Sequence, residues 1–392
     1  MEKKSVRQAT ARGRRALVRV DFNVPLTDSG EVADDRRIVE ALPTIHHLQT
    51  AGARTILLSH LGRPGGRRDP RYSLRPVARK LSALLGQPVP LAEDCVGMNA
   101  LQATARLQNG GILMLENLRF HAGEEGNDPA FVQELAQLGE LFVEEAFGAV
   151  HRAHASTVGL PQRMPSFCGL LVEKEVRELS HLREEPEHPY VALLGGAKVA
   201  DKLPILNGLV GRADALLLGG ALAFPFLAAQ GKPLGASPTE SGLESEVQAL
   251  MARAGQNGTV LELPVDWLGE RPGQKEVVAC SADDVPSDVL LRDIGPRTRD
   301  RFYARLDGSA SVFFNGPMGK AEDFRFTPGT REVLAGLATL AGYHVCAGGD
   351  SARIARDLGV EAAFQYVSTG GGAALEFVAG LDLPGLEALP DA

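Results

Sequence analysis

Cysteine is scarce in this 392-residue chain: Cys95, Cys168, Cys280 and Cys346 lie far apart and form no C-x-x-C pair. That spacing supports neither a disulfide framework nor a zinc site, and it reads as a reduced, cytoplasmic compartment. Long apolar runs are missing as well. The longest, Ala215 to Ala229, is broken by Gly219, Gly220 and Pro225 and falls short of the roughly 18 residues that span a bilayer, so no membrane partner is expected. The opening MEKKSVRQATARGRR carries charge but leads into no apolar segment, which argues against a secretory signal. Aromatic residues make up 5% and accompany no recognition motif, so nucleic acid is not an expected partner either. G-x-x-x-x-G-K-[ST] and G-x-S-x-G do not occur, and no G-x-G-x-x-G opens the first helix. The P-loop and nucleophile-elbow readings fall, and a dehydrogenase loses its main support.

Lysine is also rare, with nine residues against 32 arginines, so clustered lysines need a reason. The net charge of −8 conceals an asymmetry: residues 1–100 hold 17 Lys plus Arg against 10 Asp plus Glu, whereas residues 191–392 hold 17 against 25. A hydrophobic fraction of 44% excludes a largely disordered chain. At about 150 residues per domain, the length points to two domains.

Short apolar runs alternate with helical patterns, the signature of βα units on parallel sheets. Strands are expected at 16–20, 55–59, 112–116 and 141–146 in the first half, and at 190–194, 215–219, 312–315 and 344–348 in the second. Helices are expected over 38–52 and over 73–86, the latter closed by a glycine C-cap. The segment 169–189 places Leu171, Val172, Val176, Leu179 and Leu182 at helical spacing before EEPEHP breaks the pattern. It reads as an interdomain helix over 171–185 between a first lobe, 1–170, and a second, 186–377.

Ligands of open parallel sheets bind beyond the carboxyl ends of the strands. There the two halves differ. The first presents Arg37, Arg63, Arg119 and Arg152 with His60 beside Arg63, a set suited to a small polyanion. Asp21 and Asn23 either bind a substrate hydroxyl or, for Asn23, stabilise the turn before Pro25. The second half presents glycine: Gly195-Gly196, Gly219-Gly220, NGPMG from Asn315, Gly348-Gly349 and STGGG from Ser368. Such loops bring backbone amides to a phosphate. Lys198 and Lys202, four residues apart, are expected to share one face of a helix opening there, as compact cations suited to a moving phosphoryl group. Asp350 either holds Mg²⁺ near the phosphates or caps a helix.

Taken together, RVDFNVP (19–25), DDRRI (34–38), SHLGRP (59–64), LMLENLRF (113–120), EEAFGAVHRAHAS (144–156), GGAKVADK (195–202), DIGP (293–296), NGPMG (315–319), GGDS (348–351) and STGGGAALEF (368–377) closely resemble the phosphoglycerate kinase family, in its order and over nearly the whole chain. The resemblance implies an α/β protein of two Rossmann-like lobes, with parallel sheets flanked by helices and a tail, 378–392, packed back on the first lobe. It implies a 3-phosphoglycerate or 1,3-bisphosphoglycerate site at Asp21, Asn23, Arg37, His60, Arg63, Arg119 and Arg152. It implies an ADP or ATP site at Lys202, Gly219, Gly220, Asn315, Glu322, Gly348, Gly349, Asp350 and Ser351, with Glu322 on the ribose and Asp350 on Mg²⁺. Arg37, Lys198, Gly371 and Gly372 would act on the transferred group.

The implied reaction is reversible transfer between an acyl phosphate and ADP by a monomer, through lobe closure and charge stabilisation without a general base. A non-catalytic phosphometabolite-binding protein on the same fold is the competing reading. Three departures from the family pattern stand in the second lobe: Ala221 where a third glycine is usual, Lys320-Ala321 in place of Val-Phe, and Arg292 in place of an apolar residue. They leave the phosphate loops intact and lead to the expectation of altered adenine affinity or base selectivity.

Overall fold

The structure, a computed structural model, describes residues 2–392. It divides into two compact units, Met1–Arg177 with Asp382–Ala392, and Glu178–Leu381. The division falls inside the helix Leu170–Arg183. The returning tail begins at Asp382, so residues 378–381, expected in the tail, remain with the second unit.

The first unit is built on β1 (Arg15–Arg19), β2 (Arg54–Leu58), β3 (Ile112–Met114), β4 (Leu141–Glu144) and β5 (Ser166–Cys168). They form one parallel sheet in the order β3-β2-β1-β4-β5. β1 to β4 are buried or nearly so along their length, as expected of strands with helices on both faces. The helix Arg36–Thr50 turns Ile38, Ala41, Ile45 and Leu48 into the core beneath them. The second expected helix runs Arg75–Leu85, and Gly86 closes it in the left-handed conformation, with φ 65° and its N–H on the Ser82 carbonyl. Strand order reverses between β1 and β4, so the crevice of this sheet opens where Asp21–Asn23 and residues 145–156 emerge.

The second unit contains β6 (Tyr190–Leu194), β7 (Ala215–Leu218), β8 (Val260–Glu262), β9 (Asp266–Glu270), β10 (Val277–Ser281), β11 (Leu290–Ile294), β12 (Ser311–Asn315), β13 (Tyr343–Ala347) and β14 (Tyr366–Ser368). Six make a parallel sheet in the order β14-β13-β12-β6-β7-β8, and its switch point lies between β6 and β12. The Gly195-Gly196 and Asn315-Gly316 loops leave from those two strands. The other three form an antiparallel sheet, β10-β9-β11, with no counterpart among the expected elements. Its strand β10 is half-exposed, so it lacks the apolar run that marks the buried strands. β5, β8 and β14 were not expected either. Each is three residues long, too short to show a period.

Buried charge gathers in the first unit. Glu144 at the end of β4 is wholly buried, and burial pushes its carboxyl up to about 8 against the pull of Arg19. Its ordinary value is 4.5, so the folded protein is increasingly penalised between those two values, where the unfolded chain has already lost the proton. Glu144→Gln should therefore gain melting temperature over the wild type as pH rises from about 4.5 to about 8 and level off above. A gain that shrinks with pH in differential scanning fluorimetry would contradict the assignment.

Candidate active site

In the first unit, one chain of hydrogen bonds joins the ends of β1, β2 and β3. Arg37 Nη1 lies 2.6 Å from Asp21 Oδ2 and donates to the Asn23 carbonyl at 3.4 Å. Asn23 Oδ1 accepts the Gly62 N–H at 2.8 Å, while the Gly62 carbonyl accepts from Arg119 Nη1 at 2.8 Å. Asn23 is thus engaged across strands rather than only in its own turn. Asn117 Nδ2 fixes the same loop through the carbonyls of Leu61 and Tyr72 at 2.7 and 2.9 Å. Arg119 is almost fully buried; burial, together with Arg152 and Arg19, lowers its proton affinity, partly offset by Glu125 at 3.2 Å. Arg152 Nε lies 3.1 Å from His151 Nε2. Arg63 is exposed on the same loop as Gly62.

Sequence reasoning missed Arg19. This arginine is 1% exposed, and it donates from Nε to Ser156 Oγ at 2.7 Å and from Nη1 to the Val20 carbonyl at 2.6 Å. Its Nη2 lies 3.0 Å from His60 Nδ1. Behind it Ser156 Oγ donates to Glu124 Oε1 at 2.6 Å. The signal was available, since a charged residue within an apolar strand must find a buried partner. Burial and then the Arg19 charge hold His60 well below its usual range, so it is a neutral imidazole near pH 7. Burial alone would raise Asp21, but Arg37 and Arg19, with the Asn23 N–H, bring it below its ordinary value and keep it ionised. The result is a cationic bowl with one fixed carboxylate, suited to an anion that also carries a hydroxyl.

In the second unit the glycine loops interlock. The Gly195 N–H donates to the Asn315 carbonyl at 2.9 Å, Gly196 N–H to Pro317 O at 3.0 Å, and Gly220 N–H to Met318 O at 2.9 Å. A Cβ on Gly316, where φ is +86°, would stand 2.5 Å from the Gly195 carbonyl, so only glycine fits the crossing. Lys202 Nζ donates to the Gly195 carbonyl and, at 3.0 Å, to Asn315 Oδ1. Burial lowers its pKa to about 8. Asn315 Nδ2 donates to Ala347 O at 2.7 Å, and Ser351 Oγ accepts the Gly316 N–H at 2.7 Å.

The two lysines do not share a helix face. The chain turns helical only at Ala200 and becomes regular α-helix at Leu203, so Lys198 sits in the exposed loop before it. The reason is long-range: Glu240 accepts the Val199 and Ala200 N–H groups at 2.9 Å each, capping the turn later than Gly195-Gly196 suggests.

Gly348, with φ 99°, is the N-cap of the helix Gly349–Asp357, so Asp350 lies in its first turn and the capping alternative falls away. The Asp350 side chain is 80% exposed, with Arg353 at 4.0 Å. Gly371, with φ 54°, caps the helix Gly372–Val378, and a Cβ there would meet open space. A cavity of about 330 Å³ beside the glycine loops is lined by Gly196, Gly220, Ala221, Phe224, Trp267, Arg292, Lys320, Glu322 and Asp350, among others.

Two parallel-sheet units, one opening on guanidinium groups and the other on glycine amides with a half-buried lysine, define a two-lobed α/β phosphotransferase. The profile of the phosphoglycerate kinase family matches residues 6–381. The chain is 45% identical to phosphoglycerate kinase of Pelotomaculum thermopropionicum, covering all of both chains. It is 46% identical to that of Rubrobacter xylanophilus, covering 100% of this chain and 99% of the relative. The solved phosphoglycerate kinase of Coxiella burnetii superposes with a TM-score of 0.85 at 34% identity over 98% of each chain. The chain belongs to the phosphoglycerate kinase family, and is a kinase with a nucleotide substrate.

Arg19→Met removes the buried partner of Ser156 Oγ, the Val20 carbonyl and His60 Nδ1, and the cation whose field acts on Glu124. It should cost roughly 3–5 kcal/mol in urea unfolding near neutral pH. In the same variant the His60 imidazole should titrate at higher pH by NMR. Unchanged stability and an unchanged His60 titration would remove Arg19 from this role.

Proposed function

We propose that the first unit binds 3-phosphoglycerate or 1,3-bisphosphoglycerate through Asp21, Asn23, Arg37, His60, Arg63, Arg119 and Arg152, and that the second binds ADP or ATP through Lys202 and the glycine loops. The observation that carries this reading is the continuous hydrogen-bonded chain from Asp21 through Arg37, Asn23 and Gly62 to Arg119. It spaces cations around one carboxylate, matching a phosphorylated hydroxy acid. In the ATP-forming direction a β-phosphate oxygen of ADP attacks the acyl phosphate, the phosphorus–oxygen bond to the acyl group breaks, and a carboxylate leaves. No proton moves, so no general base is required, in keeping with a neutral His60. Stabilisation then falls to Arg37, Lys198 and the amides of Gly371 and Gly372. Lys198, exposed in its loop, is free to follow the phosphoryl group; Lys202 is held in place by Asn315 Oδ1.

Mg²⁺ fits Asp350, a hard-oxygen donor exposed at the cavity edge in the first turn of a helix. When bound, the ion would neutralise nucleotide phosphate charge. Gly219, Gly220, Asn315, Glu322, Gly348, Gly349 and Ser351 complete the proposed nucleotide site. The two sets of residues belong to separate compact units, and the proposed reaction brings them together by lobe closure, which would exclude the water that hydrolyses an acyl phosphate. The helix Leu170–Arg183 is the proposed hinge element, in a monomeric, cytoplasmic enzyme.

Arg37→Ala and Lys198→Ala should each lower kcat by about two orders of magnitude with melting temperature retained, and near-normal turnover in either would exclude that residue from the transition state. Asp350→Asn should raise the KM for MgATP and leave that for 3-phosphoglycerate unchanged. Nucleotide phosphates should return the proton that burial takes from Lys202, so binding should take up protons and weaken as pH rises through about 8. Calorimetry in two buffers of different ionisation enthalpy measures this, and binding without proton uptake at that pH would contradict it.

A further inference from the structure

We infer that Arg292 makes the nucleotide cavity favour a 6-oxopurine nucleotide, so that guanine and hypoxanthine nucleoside triphosphates serve at least as well as ATP; this rests on the placement of the nucleotide in the second unit. The phosphate end of the cavity is marked by Gly196, Gly220 and Asp350. The lining also takes Trp267 on β9 and Leu291 and Arg292 on β11 from the antiparallel sheet, and Phe224, whose ring centroid lies 5.3 Å from that of Trp267. An apolar wall of aromatic and aliphatic side chains suits the faces of a purine. It leaves the base edge to whatever polar group stands beside it.

That group is placed by a β-bulge. Leu290 pairs with Glu270 and Leu291 with Gly269, but the next residue opposite Leu268 is Asp293, so Arg292 is the extra residue. In a regular strand Leu291 and Arg292 would face opposite sides. Here both line the cavity, and a bulge is the usual device for redirecting a side chain. Asp293 is turned inward instead, where it accepts the Gly329 N–H at 2.7 Å.

Glu270 then orients the guanidinium. Its Oε1 accepts Arg292 Nε at 2.9 Å, while its Oε2 is held by Arg325 Nη2 at 2.7 Å. Among the described residues no protein acceptor engages Arg292 Nη1 or Nη2, which leaves the outer edge of the fork available. A guanidinium offers only donors. Guanine and hypoxanthine present two acceptors, O6 and N7, on one edge, whereas adenine presents N7 beside the N6 donor, which opposes an N–H. Lys320, the other cation of the lining, adds no acceptor for the adenine amine.

The test is kcat/KM for MgATP, MgGTP and MgITP at saturating 3-phosphoglycerate, in the wild type and in Arg292→Leu, with ADP and GDP binding measured by calorimetry alongside. GTP and ITP should equal or exceed ATP in the wild type, and the GTP-to-ATP ratio should fall about tenfold in Arg292→Leu. Glu270→Gln, which loosens the guanidinium, should lower the ratio in the same direction, and GDP-to-ADP affinity should follow it. Preference for ATP over both competitors, or a ratio unmoved by Arg292→Leu, would overturn the inference while leaving phosphoryl transfer in place. Absence of transfer with every nucleotide would overturn the kinase reading, and this inference with it.

Discussion

A cation wholly or partly withdrawn from water and held by acceptors at the carboxyl end of a parallel sheet is the interaction on which both units depend. In the first it is Arg19, fixed by the Val20 carbonyl, Ser156 and His60. In the second it is Lys202, fixed by the Gly195 carbonyl and Asn315. Each stands where strand order reverses, at the crevice left between loops that diverge to opposite sides. Removing a charge from water is expensive, so every remaining donor must be met, and meeting them ties together segments far apart in sequence. Arg19 joins residues 41 and 137 positions away, and Lys202 reaches 113 positions to Asn315. The site loops are thereby fixed before any ligand arrives, and the entropy of ordering them is met in folding.

The two cations differ in what they leave behind. The Arg19 charge adds to burial in keeping His60 neutral and helps Arg37 keep Asp21 ionised. Lys202 is near the point of losing its proton, so its charge is strengthened by the anion it would meet. One unit is a preset electrostatic bowl; the other is a cradle of amides around a titratable ammonium.

Much of this was legible in the sequence, for identifiable reasons. Buried parallel strands need continuous apolar runs, so β1, β2, β4, β6, β7, β12 and β13 were found within a residue or two at most ends. Strand-end motifs located Asp21, Asn23, Arg37 and Arg119, which the fold links directly, and Gly86 announced its helix end. What escaped depended on distant partners. Glu240 delays the helix after Gly196 and so separates Lys198 from Lys202. The antiparallel sheet has a half-exposed strand with no apolar period, and the bulge that redirects Arg292 exists only in the pairing of β11 with β9. Arg19 was visible as a charge in an apolar strand, but its partners at Ser156 and His60 were not. Arg63, grouped in sequence with the other arginines, is exposed rather than bonded into the chain that holds Arg37 and Arg119, and among the described residues the Arg152 side chain meets only His151 beside it.

The central claim is that the phosphoglycerate and nucleotide half-sites are each complete within one unit. Calorimetric titration tests this most directly. 3-Phosphoglycerate should bind the wild type and Lys202→Met with the same affinity in the absence of nucleotide, while Lys202→Met loses MgADP binding and Arg119→Met loses only 3-phosphoglycerate. Loss of 3-phosphoglycerate binding in correctly folded Lys202→Met, or of MgADP binding in Arg119→Met, would contradict the account.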